Sequence, residues 1–391
     1  MKHFEHLLQE GMEYMTESIQ LLLYNSNPQL FEQLDLENAN TFAEPLLYSW
    51  YNLEQPSFTL EQVLAGYLKE QHYFSISAYT DRAGCICLPA IGYLHTSMSD
   101  TYVNVVRNGG QFHVIKNGRE MAFRFTPCGY IQDTDIEIYK YRNDLYNQHF
   151  NNDPRYNLDH NTWELLQDSV QENIQQAYNM IAAHNPVYFP YMQAVAKGIF
   201  LFRDDPAHAY SFASVKAQGA VFLNLQEGNG VPFFMEEMVH QFGHCILAAV
   251  LADKGSFFRI PEETPMSALT GNTADGRSFY DAFHGLFTTY AVAQLLDIVI
   301  SKQLLQGAEL HEAKGRFIYN QRRIHTGIQS VNHAAVLTPK GTGIYNYLQK
   351  ELEKIYLGKE SMIAGYQFSN QSFVFNYNHF ARLNPVTSQV L

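Results

Sequence analysis

Residues 232–251 constrain this chain more than any other stretch. They are apolar on nearly every side: Phe233, Phe234, Met238, Val239, Phe242, Ile246, Leu247, Val250 and Leu251. A run of that length, apolar all round, reads as a helix buried in the core of a large domain. Pro232 suits the first helical turn, and Glu236 and Glu237 lie early enough to favour the positive helix end. Into this surface the sequence sets His240 and His244, four positions apart and therefore on one helical face. Buried imidazoles need partners for their ring nitrogens. One transition metal ion serves both without distorting the backbone.

The rest of the composition admits a broad core. The chain has 391 residues, 46% of them hydrophobic, with 27 Phe and 26 Tyr, enough for one large domain or a few intimate ones. With 39 acidic and 26 basic residues the formal net charge is −13. A nucleic-acid binder carries a basic face, so that class of partner is not expected. No stretch of about 18 apolar residues runs without a charge, and no membrane span is expected. The opening MKHFEHLLQE lacks a basic region followed by an apolar run, so no signal peptide is expected either. Cys85, Cys87, Cys128 and Cys245 show no CxxC spacing. A zinc ribbon is not indicated, and the reducing cytoplasm is the expected compartment.

Along the chain, residues 1–70 read as helices, with Leu7, Leu8, Met12, Met15, Ile19, Leu22 and Leu23 at helical spacing. Residues 73–138 alternate instead. The runs from Tyr102 and from Phe112, with Asn108-Gly109-Gly110 between them and Asn117-Gly118 after, predict a three-stranded antiparallel meander. A helix is expected over 161–184, entered at Asn161-Thr162, and short strands over 198–202 and 219–225. Further helices are expected over 279–305 and 343–357. The expected fold is α+β with a helical majority, in which a small sheet packs against the 232–251 helix. Its working division is an N-terminal helical and β-meander region, 1–185, and a metal-binding region, 186–391.

A third ligand has to come from elsewhere. His284 lies one turn into the next apolar helix, where two packed helices can bring it to the first pair. Asp281, three residues earlier, can ligate, orient His284, or simply cap its helix. A second arrangement pairs Glu237-x-x-His240 with Asp281-x-x-His284, in the manner of di-metal helical proteins. That would leave His244 unused.

From the strand GAVFLNL through the helix EEMVHQFGH to GRSFYDAFHG, residues 219–285 resemble the HExxH-type peptide β-hydroxylases of bacterial peptide-modification clusters. The stretch Leu337-Thr338-Pro339-Lys340-Gly341, leading into a helix, is similar to the C-terminal part of that family. The resemblance covers about the last half of the chain. It implies a zincin-like metal helix and an iron(II)- and 2-oxoglutarate-dependent oxygenase acting on a ribosomally made peptide. Carried over, the metal ligands are His240, His244 and His284. Arg277 is then the expected grip for a 2-oxoglutarate carboxylate, since a guanidinium fork matches that group.

Position 241 departs from the family, with Gln where it has Glu. In a zinc peptidase that Glu takes the proton of the metal-bound water, which a neutral amide cannot do. Three readings follow. The first is a metal-dependent oxidoreductase that hydroxylates a peptide, with Gln241 and Asp281 beside the reacting centre. The second is a zinc-binding metallopeptidase relative, inactive or weakly hydrolytic. The third is a peptide-binding protein without catalysis, which accepts a peptide strand along 219–225 at a sheet edge.

Overall fold

A computed structural model of the chain describes residues 2–151, 158, 165–324, 328–372 and 374–386. The fold is α+β, about half of it helical, with small sheets. Two compact units divide the chain. One contains residues 1–12, 172–194 and 227–391, the other 13–171 and 195–226. The division is therefore interleaved rather than a single cut near 185: residues 195–226 belong with the N-terminal strands.

Every strand among the described residues lies in the second unit. Strands β1 (Tyr73–Thr80), β4 (Thr101–Asn108), β5 (Gln111–Lys116) and β6 (Arg119–Met121) form one antiparallel sheet in the order β1-β4-β5-β6. Strands β2 (Cys85–Leu88), β3 (Gly92–Thr96) and β7 (Phe123–Pro127) form another. The expected meander is β4-β5-β6. Its two tight turns carry positive φ at Gly109 (57°) and Gly110 (90°), then at Asn117 (51°) and Gly118 (75°). That geometry matches the strand twist and is open only to such residues. Ile76, Ala78, Ile86, Leu88, Leu94, Val103, Val105 and Val114 make a common core from strands of both sheets. Strands as short as β2, β3 and β7 offer too few positions for alternation to show in sequence.

The remaining sheet runs β10-β11-β9-β8. Strand β9 (Gly198–Phe202) and strand β11 (Ala220–Asn224) pair in parallel, with Val221 opposite Ile199. Both are buried at every position, which is why they read as continuous apolar runs. Strand β8 (Glu137–Ile138) flanks β9, and β10 (Phe212–Ala213) flanks β11. The face is aromatic; Phe212 and Phe222 stack with centroids 4.5 Å apart. Because β11 lies between β9 and β10, the latter pairing with Val221 and Phe222, it is not the edge strand that the expectation of peptide addition required.

The other unit is helical. The expected helix over 232–251 is Val231–Val250, with Gly230 at its N-cap and Pro in its first turn. The next is Phe279–Ser301, entered through a capping box between Ser278 and Asp281. Helices Gly307–Ile324 and Pro339–Tyr356 follow, the latter capped by Thr338. A helix also covers Asp168–His184, whereas the entry expected at Asn161-Thr162 lies outside the described residues. The histidine helix is approached closely by its neighbours. A Cβ on Gly11 would stand 1.8 Å from the Ala249 carbonyl oxygen, and one on Gly243 would stand 3.2 Å from Thr288 Cγ2. Among the described residues Phe279–Ser301 is long and apolar enough to cross a membrane, yet 67% of its apolar window is buried inside the protein, as in a core helix. The expected strand and the histidine helix fall in different units, β11 in the sheet-bearing one and Val231–Val250 in the helical one.

Candidate metal centre

The helical periodicity that places His240 and His244 on one face is realised. Their rings lie 5.3 Å apart at 29°, and both are half-buried. Around them Met238, Val239, Phe242 and Cys245 are buried, so the pair stands in an apolar frame. The helix Phe279–Ser301 delivers His284, which is 6% exposed. Its ring lies nearly parallel to that of His244, 5.5 Å away at 10°, and the two Nδ1 atoms are 3.3 Å apart. Nitrogens held by one tetrahedral ion at about 2.0–2.1 Å stand roughly 3.3–3.4 Å from each other, so this separation suits a shared cation. It equally suits one ring donating to the other.

The other nitrogen of His284, Nε2, is buried without a hydrogen-bond partner. An unsatisfied buried ring nitrogen costs about 1–3 kcal/mol. Burial, then His244, then Lys254, hold the His284 imidazole well below its ordinary pKa, which keeps it neutral, the form that ligates. The three rings make a row, His240–His244–His284. The His244–His284 pair is at bonding separation, and no group of three His, Cys, Asp or Glu among the described residues is gathered as a closed cage.

The other expected site residues fall in different places. Gln241 is buried, and its Nε2 donates to Glu237 Oε2 at 2.9 Å. Glu237 is therefore engaged with Gln241, four residues on, and the carboxylate-x-x-His arrangement gains no support. Asp281 is exposed and engaged at the helix start: its backbone N–H donates to Ser278 Oγ at 3.0 Å, while its Oδ2 accepts from the Ser278 N–H at 3.3 Å. The structure gives it the capping role in place of the ligating or orienting one, because the N3 position of a capping box turns back toward the N-cap. Arg277 is clamped by Asp275, with Nε to Oδ1 at 2.9 Å and Nη2 to Oδ2 at 2.7 Å. Those bonds push the guanidinium pKa up and hold the Asp275 carboxyl low. One edge of the fork expected to grip a cosubstrate, Nε with Nη2, is taken by its own loop.

Two features escaped the sequence. Tyr280 packs on His284, centroids 4.3 Å apart, and Lys254 Nζ stands 5.1 Å above the Tyr280 ring. One turn before His240, Glu236 takes part in a buried triad, with Arg316 Nη1 at 2.7 Å and Glu312 on the other side of the guanidinium at 2.7 Å. The Glu312–Arg316 pair at i,i+4 was readable; its partner on another helix, eighty residues away, was not. No family model matches the chain, and no curated protein matches it.

Proposed function

We propose that this protein is an iron(II)- and 2-oxoglutarate-dependent oxygenase that hydroxylates a ribosomally made peptide, with His240, His244 and His284 holding the metal. The observation that carries the reading is the arrival of His284 from a second helix, its Nδ1 3.3 Å from that of His244. Neutral imidazoles on two packed helices are a donor set suited to iron or zinc. Bound there with open positions, iron with the cosubstrate and O₂ would supply the oxidising power that an unactivated carbon requires. The chain's own part is to fix the ligands on rigid helices and to exclude water with the apolar surfaces around them. Gln241, its amide turned to Glu237, offers no base for a hydrolytic water. That favours the oxygenase over a zinc metallopeptidase relative. The four free cysteines accord with a reducing, cytoplasmic setting.

The test is metal analysis of protein purified without oxygen, with 2-oxoglutarate turnover on the same sample. Stoichiometric iron and conversion to succinate are expected. Metal affinity should fall at least ~10-fold in His284→Ala and further in His240→Ala or His244→Ala. Undiminished metal in all three variants sinks the site. Chelator-sensitive proteolysis by the pure protein would turn the reading toward the peptidase.

A further inference from the structure

Helix Gly307–Ile324 of the helical unit sets Gly307, Leu310, His311 and Lys314 on one face, at the i, i+3, i+4, i+7 spacing. Across from that face stand residues 365–367 and 383–386, and the space between them is a cavity of about 380 Å³. That size suits a small organic molecule. The far wall is pinned. The buried Asn384 amide donates to the Gln367 carbonyl at 2.8 Å and to the Phe380 carbonyl at 2.9 Å, and it accepts from the Gln367 N–H at 2.8 Å. The 365–367 segment is thereby held to the end of helix Tyr377–Leu383.

Three lining side chains keep hydrogen-bonding capacity in hand. His311 is 9% exposed. Its Nδ1 lies 3.2 Å from the Tyr377 hydroxyl and its ring packs on Phe380 at 4.9 Å, while its Nε2 has no partner among the described residues. When Tyr377 donates to Nδ1, the proton of the neutral ring sits on Nε2. Neither the Lys314 ammonium nor the Tyr366 hydroxyl makes a hydrogen bond or ion pair with a described residue. The Tyr366 ring stands 5.8 Å from His311 and 5.4 Å from Phe380. None of the described lining residues is acidic, and Glu312, next along the helix, is engaged with Arg316. Burial, then the charge of Lys314, hold His311 below its ordinary pKa, so near neutral pH the cavity carries one fixed positive charge, on Lys314. Leu310, Leu383 and Pro385 add apolar surface.

We propose that this cavity binds a small monocarboxylate with an apolar body, its carboxylate on the Lys314 ammonium, with His311 Nε2 and the Tyr366 hydroxyl as further donors. A single cation beside apolar walls matches a singly charged acid, whereas a phosphate dianion would bring a second charge with nothing to pair it. The site uses none of the residues of the histidine centre and stands or falls without it.

The experiment is calorimetric binding of 3-phenylpropanoate and of its neutral amide to the full chain near neutral pH, with thermal unfolding recorded for every variant. The wild type should hold the acid at least about 10-fold more tightly than the amide, the value of a charge-assisted hydrogen bond. Lys314 is half-buried and unpaired among the described residues, so Lys314→Met should fold as the wild type does. It should bring the acid down to the level of the amide, whose own affinity should stay within about 2-fold. Lys314→Arg should keep most of the preference. Equal binding of acid and amide by the wild type overturns the proposal, as does a preference that survives in Lys314→Met. Inorganic phosphate that displaces the acid at equal concentration overturns the carboxylate assignment, and a wild type that binds neither probe overturns the site.

Discussion

In the helical unit Arg316 lies between two buried carboxylates, with Glu236 and Glu312 each 2.7 Å from its guanidinium and the rings of Phe233 and Phe375 about it. In the sheet-bearing unit Glu44 and Glu137 are equally buried, but each carboxylate accepts from a tyrosine hydroxyl, Tyr67 and Tyr93 respectively, both at 2.6 Å. The cations there, Lys197 for Glu44 and Lys140 for Glu137, act weakly and through space. Burial alone would pull the Arg316 pKa down; its two carboxylates push it well above the ordinary value. Burial pushes Glu137 up to about 7, against the Tyr93 hydrogen bond and with help from the charge of Glu44. A carboxylate can be buried charged if a guanidinium accompanies it. With neutral donors only, it is buried at the edge of protonation.

The largest test of this contrast is Arg316→Met. Two buried carboxylates would lose their cation, and about 3–5 kcal/mol of unfolding free energy should go. Denaturant titration reads it. A loss under about 1 kcal/mol would mean the triad is no more compensated than the Glu44–Glu137 pair.

Glu137→Gln should do the opposite. The folded pKa of Glu137, about 7, lies above the ordinary 4.5. Its contribution is therefore fully present below pH 4.5 and is lost as the pH rises through about 7. Gln keeps an acceptor for Tyr93 and removes the charge, so at pH 8 the variant should be more stable by about 1–3 kcal/mol. Below pH 4.5 it should match the wild type. Equal stabilities at both pH values would show that Glu137 is not held near neutrality.

Ser278→Ala is the smallest change. It removes the capping side chain that engages Asp281 and should cost about 1 kcal/mol, leaving metal affinity nearly unchanged. A large loss of metal would show that Asp281 serves the histidines through this cap and is more than a helix start.

How much could be read beforehand differs by region. Helix Val231–Val250 and the turns at Gly109-Gly110 and Asn117-Gly118 were legible, because an apolar run of helical length and residues tolerant of positive φ are local signals. The proximity of His244 and His284 was anticipated from helix pairing. The pairing of Arg277 with Asp275 was not, although the two stand only two residues apart. Whether an arginine turns to its own loop or to a neighbouring site is a choice among rotamers, which spacing does not reveal. Lys254 was passed over because its contact with Tyr280 joins residues more than twenty positions apart.

By itself the sequence determined the longer helices, the β4-β5-β6 meander and the apolar runs of β9 and β11, and that His240 and His244 share a face. These follow from 3.6- and 2-residue periodicity and from turn chemistry, which act within a few residues. Only the tertiary structure decided that residues 195–226 join the N-terminal strands, that β11 lies inside its sheet, and that Asp281 caps while Arg277 is held by Asp275. Each of these is a competition among partners for one hydrogen-bonding group or one apolar face. For the strands the winner depends on packing that brings distant residues together; for Asp281 and Arg277 it depends on the rotamer each side chain takes beside a partner two or three residues away.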